Sequence, residues 1–101
     1  MDLPSARYFL AILNCGTFTG AARACKVAQP SVTTCIRRLE ANLGGKLFER
    51  NKGTGSRAAP TELAFALKPH FEEIVFHADC ARAKAADLRP QTSISSMIER
   101  E

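Results

Sequence analysis

Nowhere in the 101 residues do ~18 apolar side chains follow one another, so no stretch is fit to span a membrane. The opening Met1-Asp2-Leu3-Pro4 lacks the basic head and apolar run of a signal peptide, and a cytoplasmic location is expected. Four cysteines occur (Cys15, Cys25, Cys35 and Cys80), but none falls in a C-x-x-C or a Cys/His cluster. Metal sites are built from such clusters, and His70 and His77 lie seven apart rather than at the i,i+4 spacing of helical metal pairs. Neither metal nor cofactor is expected. In a reducing compartment the thiols act most simply as small apolar residues, Cys35 beside Arg38 included. There is no G-x-S-x-G, no P-loop and no clustered acid/base set, which argues against an enzyme.

Acidic residues are scarce in the front of the chain. Residues 1–60 hold nine Lys/Arg against three acids, a balance of +6, whereas residues 61–101 hold five against seven, a balance of −2. That asymmetry suits a polyanion met at one end only. Charge alone does not separate this from an ordinary solvated basic surface. A chain of this length is one small domain with a real core and little surplus stability.

What is present reads as helices. Asp2 or Ser5 can cap a first helix, with Pro4 in its first turn and Ala6, Phe9, Leu10 and Leu13 as its buried stripe. Cys15-Gly16 ends it. Thr17 or Thr19 then caps a short second helix, Phe18 to about Cys25, whose Gly20, Ala21, Ala22 and Ala24 permit a tight helix-turn-helix corner. Lys26-Val27-Ala28 forms the turn. The third helix opens on "AQPSVTTCIRRLE", with Pro30 near its first position. Val32, Ile36, Leu39 and Leu43 share a narrow core-facing sector; Pro30, Thr34, Arg37, Arg38 and Ala41 point away, flanked by Ser31 and Thr33. Gly44-Gly45 stops it.

Residues 46–50 alternate enough for a short strand, residues 51–55 form a turn cluster, and residues 56–60 return as a weak second strand that Pro60 confines to an edge. Thr61-Glu62 opens the longest helical pattern, to about Leu88. Leu63, Leu67, Phe71, Ile74, Ala78, Ala81, Ala85 and Leu88 lie close to a heptad seam, with Pro69 expected to kink the rod. Residues 91–101 carry no fold signal. The expected organisation is a winged helix-turn-helix over residues 1–60, a dimerisation helix over 61–88, and a tail, 89–101, open to disorder.

The residues themselves have a familiar order. Gly16-Thr17-Phe18-Thr19 followed by Ala21-Ala22, then Ala28-Gln29-Pro30-Ser31, Ile36-Arg37-Arg38-Leu39-Glu40 and Leu43-Gly44-Gly45-Lys46-Leu47-Phe48-Glu49-Arg50 keep one spacing. In combination they closely resemble the N-terminal DNA-binding domain of LysR-type transcriptional regulators over most of residues 3–64. The arm is similar to that family's linker helix.

The resemblance implies a third helix entering the DNA major groove, with Gln29, Pro30, Thr33 and Thr34 facing bases and Ser31, Thr17 and Thr19 meeting phosphates. Chemistry agrees: glutamine pairs in a bidentate way with adenine, threonine offers a hydroxyl and a methyl, and Arg37 and Arg38 suit the flanking backbone. By their charge, Lys52 or Arg57 of the wing would reach the minor groove. The departures are Thr34, where the family often has a longer side chain, Gly53 in place of an arginine, and Pro60-Thr61-Glu62-Leu63-Ala64 for L-T-x-x-G. The resemblance also implies antiparallel pairing of the long helices through Leu63, Leu67, Phe71, Ile74, Ala78 and Ala81. A two-fold dimer matches an interrupted palindrome in double-stranded DNA.

The family usually adds an effector-binding domain of two α/β lobes, for which these residues have no counterpart. An excised domain, a truncated product and a stand-alone relative are all compatible with that. The leading expectation is sequence-specific, dimeric DNA binding that regulates transcription in a bacterium. The alternative is a truncated regulator that heterodimerises with full-length relatives as a protein-interaction module. A winged-helix regulator of MarR type fits less well, because the arm follows the wing and Gln29-Pro30 opens the third helix.

Overall fold

The computed structural model describes residues 2–50 and 57–89. The elements are α1 Leu3–Cys15, α2 Phe18–Cys25, α3 Gln29–Leu43, β1 Phe48–Arg50, β2 Ala58–Pro60 and α4 Glu62–Leu88. The four helices lie where the sequence pattern puts them, whereas both strands are shorter than expected: β2 starts at Ala58, with Arg57 only in an isolated bridge, and β1 starts at Phe48 rather than Lys46. Leu47 N–H is taken by the Glu40 side chain, so residues 46 and 47 make a corner instead of a ladder. The expected turn cluster at 51–55, Lys52, the tail beyond residue 89 and the Gly53 departure lie outside the described residues.

The caps decide the helix boundaries. Asp2, not Ser5, caps α1: its Oδ1 accepts from Ser5 N–H at 3.0 Å and from the Ser5 hydroxyl at 2.7 Å. Thr17, not Thr19, caps α2 by accepting from Gly20 N–H at 2.9 Å. Gly16 and Gly44 each take φ +81°, the left-handed conformation that closes α1 and α3. Lys26 closes α2 at φ 61°, a conformation that costs a side-chain-bearing residue ~1–2 kcal/mol. It is held there by its N–H donating to Arg23 O, while Val27 N–H donates to Ala22 O.

The core is a line of aromatic rings crossed by aliphatic side chains. Phe71 of α4 sits against Phe9 of α1 at 4.8 Å between ring centroids; Phe9 meets Phe48 of β1 at 5.6 Å, and Phe48 meets Phe18 of α2 edge-on at 5.8 Å. Ile12, Val32, Ile36, Leu39 and Leu47 fill the space around them. The α1 stripe therefore shifts from expectation. Ile12 is fully buried, whereas Leu10 and Leu13 only flank the core.

The largest correction concerns α4. Phe71, expected at a dimer seam, is 2% exposed inside the protomer, and Ala64 is fully buried. Leu63 and Leu67 pack on the same core, and Ala78 is half-buried. The first three turns of α4 thus belong to the body, because a two-stranded wing and three short helices leave Phe9 and Phe48 uncovered without them. The helix runs unbroken through Pro69, whose side is exposed.

A second tie holds the arm. Arg7 Nη2 donates to Asp79 Oδ1 at 2.8 Å, and this bond holds the Asp79 carboxyl below its ordinary value of 3.8. A depressed carboxylate stabilises the fold above about pH 3.8, and that contribution disappears as pH falls through the lowered native value. Asp79→Asn is therefore expected to lower the urea midpoint at pH 7. The difference from the parent should close as both are titrated below pH 3.8; a gap that persists at low pH would assign the effect to packing instead.

Candidate nucleic-acid interface

Helix α3 leans on α1 and α2 through Val32, Ile36 and Leu39, all buried, and this fixes which side of it remains free. Pro30, Ser31, Thr34, Arg37, Arg38 and Ala41 are exposed along that side. The helix opens on Ala28, which has no side chain able to cap it, and only Ser31 N–H closes back onto Ala28 O at 3.0 Å. An uncapped first turn leaves backbone N–H groups directed outward beside a positive helix end. A phosphate oxygen is a suitable partner for them.

Two of the expected base-facing residues hold each other. Gln29 Nε2 donates to Thr33 Oγ1 at 2.9 Å, one helical turn apart, and both side chains are half-buried. The free side of α3 divides into two flanks. Thr33, Arg37 and Glu40 line a concavity toward the wing with Phe48, Lys46 and Glu49. Pro30, Ser31, Thr34, Cys35 and Arg38 line a shallower groove on the other flank. Arg38 also contributes, as a lesser cause after the Ser5 hydrogen bonds, to holding Asp2 below its ordinary carboxyl range.

The remaining candidates come from two other elements. Thr17 is half-buried and its hydroxyl oxygen is engaged as the α2 cap, while Thr19 is exposed. Arg57, exposed at the base of the wing, pairs with Thr17 in an isolated antiparallel bridge, and Ala58 N–H donates to Gly16 O at 2.9 Å. The structure thus brings Thr17 and Arg57 together at the α1–α2 corner. That pairing was not foreseen, since forty residues separate them.

Two supports of the site were also missed. Glu40 Oε2 accepts from Leu47 N–H at 2.7 Å and from Phe48 N–H at 3.4 Å, tying α3 to the start of the wing. Thr61 accepts from Ala64 N–H to cap α4, and its hydroxyl donates to Lys46 O at 2.7 Å. Thr61 N–H donates to Leu47 O, which closes the wing from the other side. Glu40 lies seven residues before Leu47, beyond the Gly44-Gly45 stop; a carboxylate just upstream of such a stop was the signal available. Among the described residues no His/Cys/Asp/Glu group could hold a metal ion, and no helix is long and apolar enough to cross a membrane.

Three helices, a two-stranded antiparallel ribbon paired Phe48↔Pro60, Glu49↔Ala59 and Arg50↔Ala58, and a long trailing helix define a winged helix-turn-helix protein. Residues 3–64 match the family described as bacterial regulatory helix-turn-helix protein, lysR family, and the chain belongs to that family. The HTH-type transcriptional regulator AbaB of Streptomyces antibioticus is 40% identical over 76 residues, 74% of this chain and 25% of that protein. DgcR of a Pseudoalteromonas species is 43% identical over 74 residues, 73% of this chain and 24% of that protein. The chain spans about a quarter of the length of these curated relatives. Among solved structures, the BenM_DBD/benA site 1 DNA complex superposes with a TM-score of 0.75 at 26% identity, covering 88% of this chain and 100% of that one. The CbnR_DBD–DNA complex gives 0.75 at 29% identity over 86% and 99%.

Proposed function

We propose that this chain recognises double-stranded DNA with α3 in the major groove, as a homodimer paired through α4, and that it regulates transcription from operators that are interrupted palindromes. The observation that carries the reading is the free side of α3. A helix with an uncapped, positive start, small hydroxylated and proline side chains next, and two exposed arginines one to two turns on is ordered as a groove demands. Ser31 and Thr19 serve phosphates, Pro30 and Thr34 the groove floor. Arg57 with Thr17 serves the backbone beside the wing.

For pairing, Ile74, Ala78, Ala81, Ala85 and Leu88 continue the alternating four- and three-residue spacing beyond Phe71, the last wholly buried residue of α4. Ile74 and Leu88 are 42% and 77% exposed in the protomer. Phe71 is withdrawn from this surface by its burial, whereas Leu63 and Leu67, only half-buried against the core, keep part of their surface for it. The chemistry makes no use of an enzyme's apparatus, and the relatives are transcriptional regulators.

Selection of bound DNA from a random pool, followed by the solution mass of the complex, tests the whole reading. An interrupted palindrome bound by two chains is expected. Random-sequence DNA binding as tightly as any selected site would overturn sequence-specific regulation. A heterodimer with a full-length relative that excludes DNA would favour the interaction-module alternative. Arg38→Ala should weaken selected and random DNA nearly equally and reduce the slope of log K against log salt by about 1. An unchanged slope would remove Arg38 from the phosphate contacts.

A further inference from the structure

The bond between Gln29 and Thr33 constrains what the recognition helix can say to a base. A glutamine amide carries two N–H donors and one acceptor oxygen. Here one donor is committed to Thr33 Oγ1 at 2.9 Å, on the next turn of the same helix. The oxygen and the second donor are what the amide has left to offer, side by side, as an acceptor–donor pair. In the major groove adenine presents the complement, its N6 amino donor beside its N7 acceptor. Guanine presents two acceptors, N7 and O6, so the Gln29 oxygen would face another oxygen.

We propose that Thr33 is a positioning residue that orients the Gln29 amide and thereby makes the opening of α3 selective for adenine over guanine. This rests on α3 being the DNA-contacting helix. Without the Thr33 hydroxyl both N–H donors of the amide are released, and a long, rotamer-rich side chain can turn its nitrogen to the base edge, where two donors suit guanine N7 and O6. Thr33 itself is half-buried on the flank facing the wing, whereas Pro30 and Thr34 are exposed on the other flank. Its effect on the base passes through the Gln29 amide that it holds.

The test compares the full chain with Thr33→Val, Thr33→Ser, Gln29→Ala and the Gln29→Ala/Thr33→Val double variant. Each is titrated on the selected operator and on the same duplex carrying a single A-to-G exchange at the position Gln29→Ala affects. Valine keeps the branched shape and removes the hydroxyl, and helix content and a melting curve establish that each variant is folded at the titration temperature. The A-over-G affinity ratio should fall about tenfold in Gln29→Ala and in Thr33→Val. It should stay within about twofold of the parent in Thr33→Ser, and the double variant should be no worse than Gln29→Ala alone. An undiminished ratio in Thr33→Val, or losses that add in the double variant, would overturn the positioning role while leaving α3 as the DNA reader. A Gln29→Ala protein that keeps every base preference would also overturn it. A parent protein that selects no sequence would overturn the DNA reading itself.

Discussion

Phe71→Ala lowers the free energy of unfolding by about 3–5 kcal/mol, the cost of emptying a buried phenyl site. The ring is 2% exposed and lies 4.8 Å from Phe9, which in turn packs on Phe48, so its loss uncovers Phe9 and opens the α4 end of the aromatic line. A domain of this size has roughly 5–15 kcal/mol to lose, and such a variant stands near the edge of folding. Ile74→Asp, one turn along the same helix, should behave in the opposite way. Its side chain is 42% exposed, so the protomer keeps its core while a charge enters the pairing surface. Urea unfolding at two protein concentrations separates the two cases. The Phe71 deficit should be the same at both, and the Ile74 deficit should shrink on dilution, because pairing then adds less to the stability of the parent. A concentration-dependent Phe71 deficit would return that residue to the dimer seam.

Those two residues also show where sequence reading stops. Helix spacing located all four helices, because apolar residues at three- and four-residue steps and the glycines at 16 and 44 act locally. The apolar stripe of α4 is present too, but its surroundings change along the helix. Up to Phe71 it faces the protomer's own core; from Ile74 on it emerges from it. Periodicity reports that a face is apolar and is silent on what covers it. The ties that orient the site are long-range and polar: Arg7 to Asp79 across 72 residues, Thr17 to Arg57 across forty, Glu40 to the start of the wing. No local rule pairs such groups, since each is an unremarkable surface residue until the chain has folded. The α3 face was legible because its polar order departs from what packing asks. The Gln29–Thr33 bond, by contrast, needed the side-chain positions themselves.

Thr34→Glu should then abolish recognition without disturbing the fold. Thr34 is exposed on the solvent side of α3, in the groove that Pro30, Ser31 and Arg38 also line, and is not among the buried residues of the helix. Glutamate is a better helix former than threonine, so stability should stay within ~0.5 kcal/mol of the parent. In a groove flanked by phosphates the new carboxylate meets like charge at short range, a penalty of several kcal/mol that corresponds to on the order of 100-fold or more in affinity. Thr34→Gln, equally long and uncharged, separates charge from bulk and should lose far less. Parallel titrations of selected and random duplexes at fixed salt provide the measure. If α3 lies in the groove, both duplexes lose affinity for the glutamate variant and its unfolding curve overlays the parent's. Unchanged affinity in a folded Thr34→Glu protein would mean that the duplex touches some other surface. The exposed arginines of α3 would then be a solvated face and nothing more.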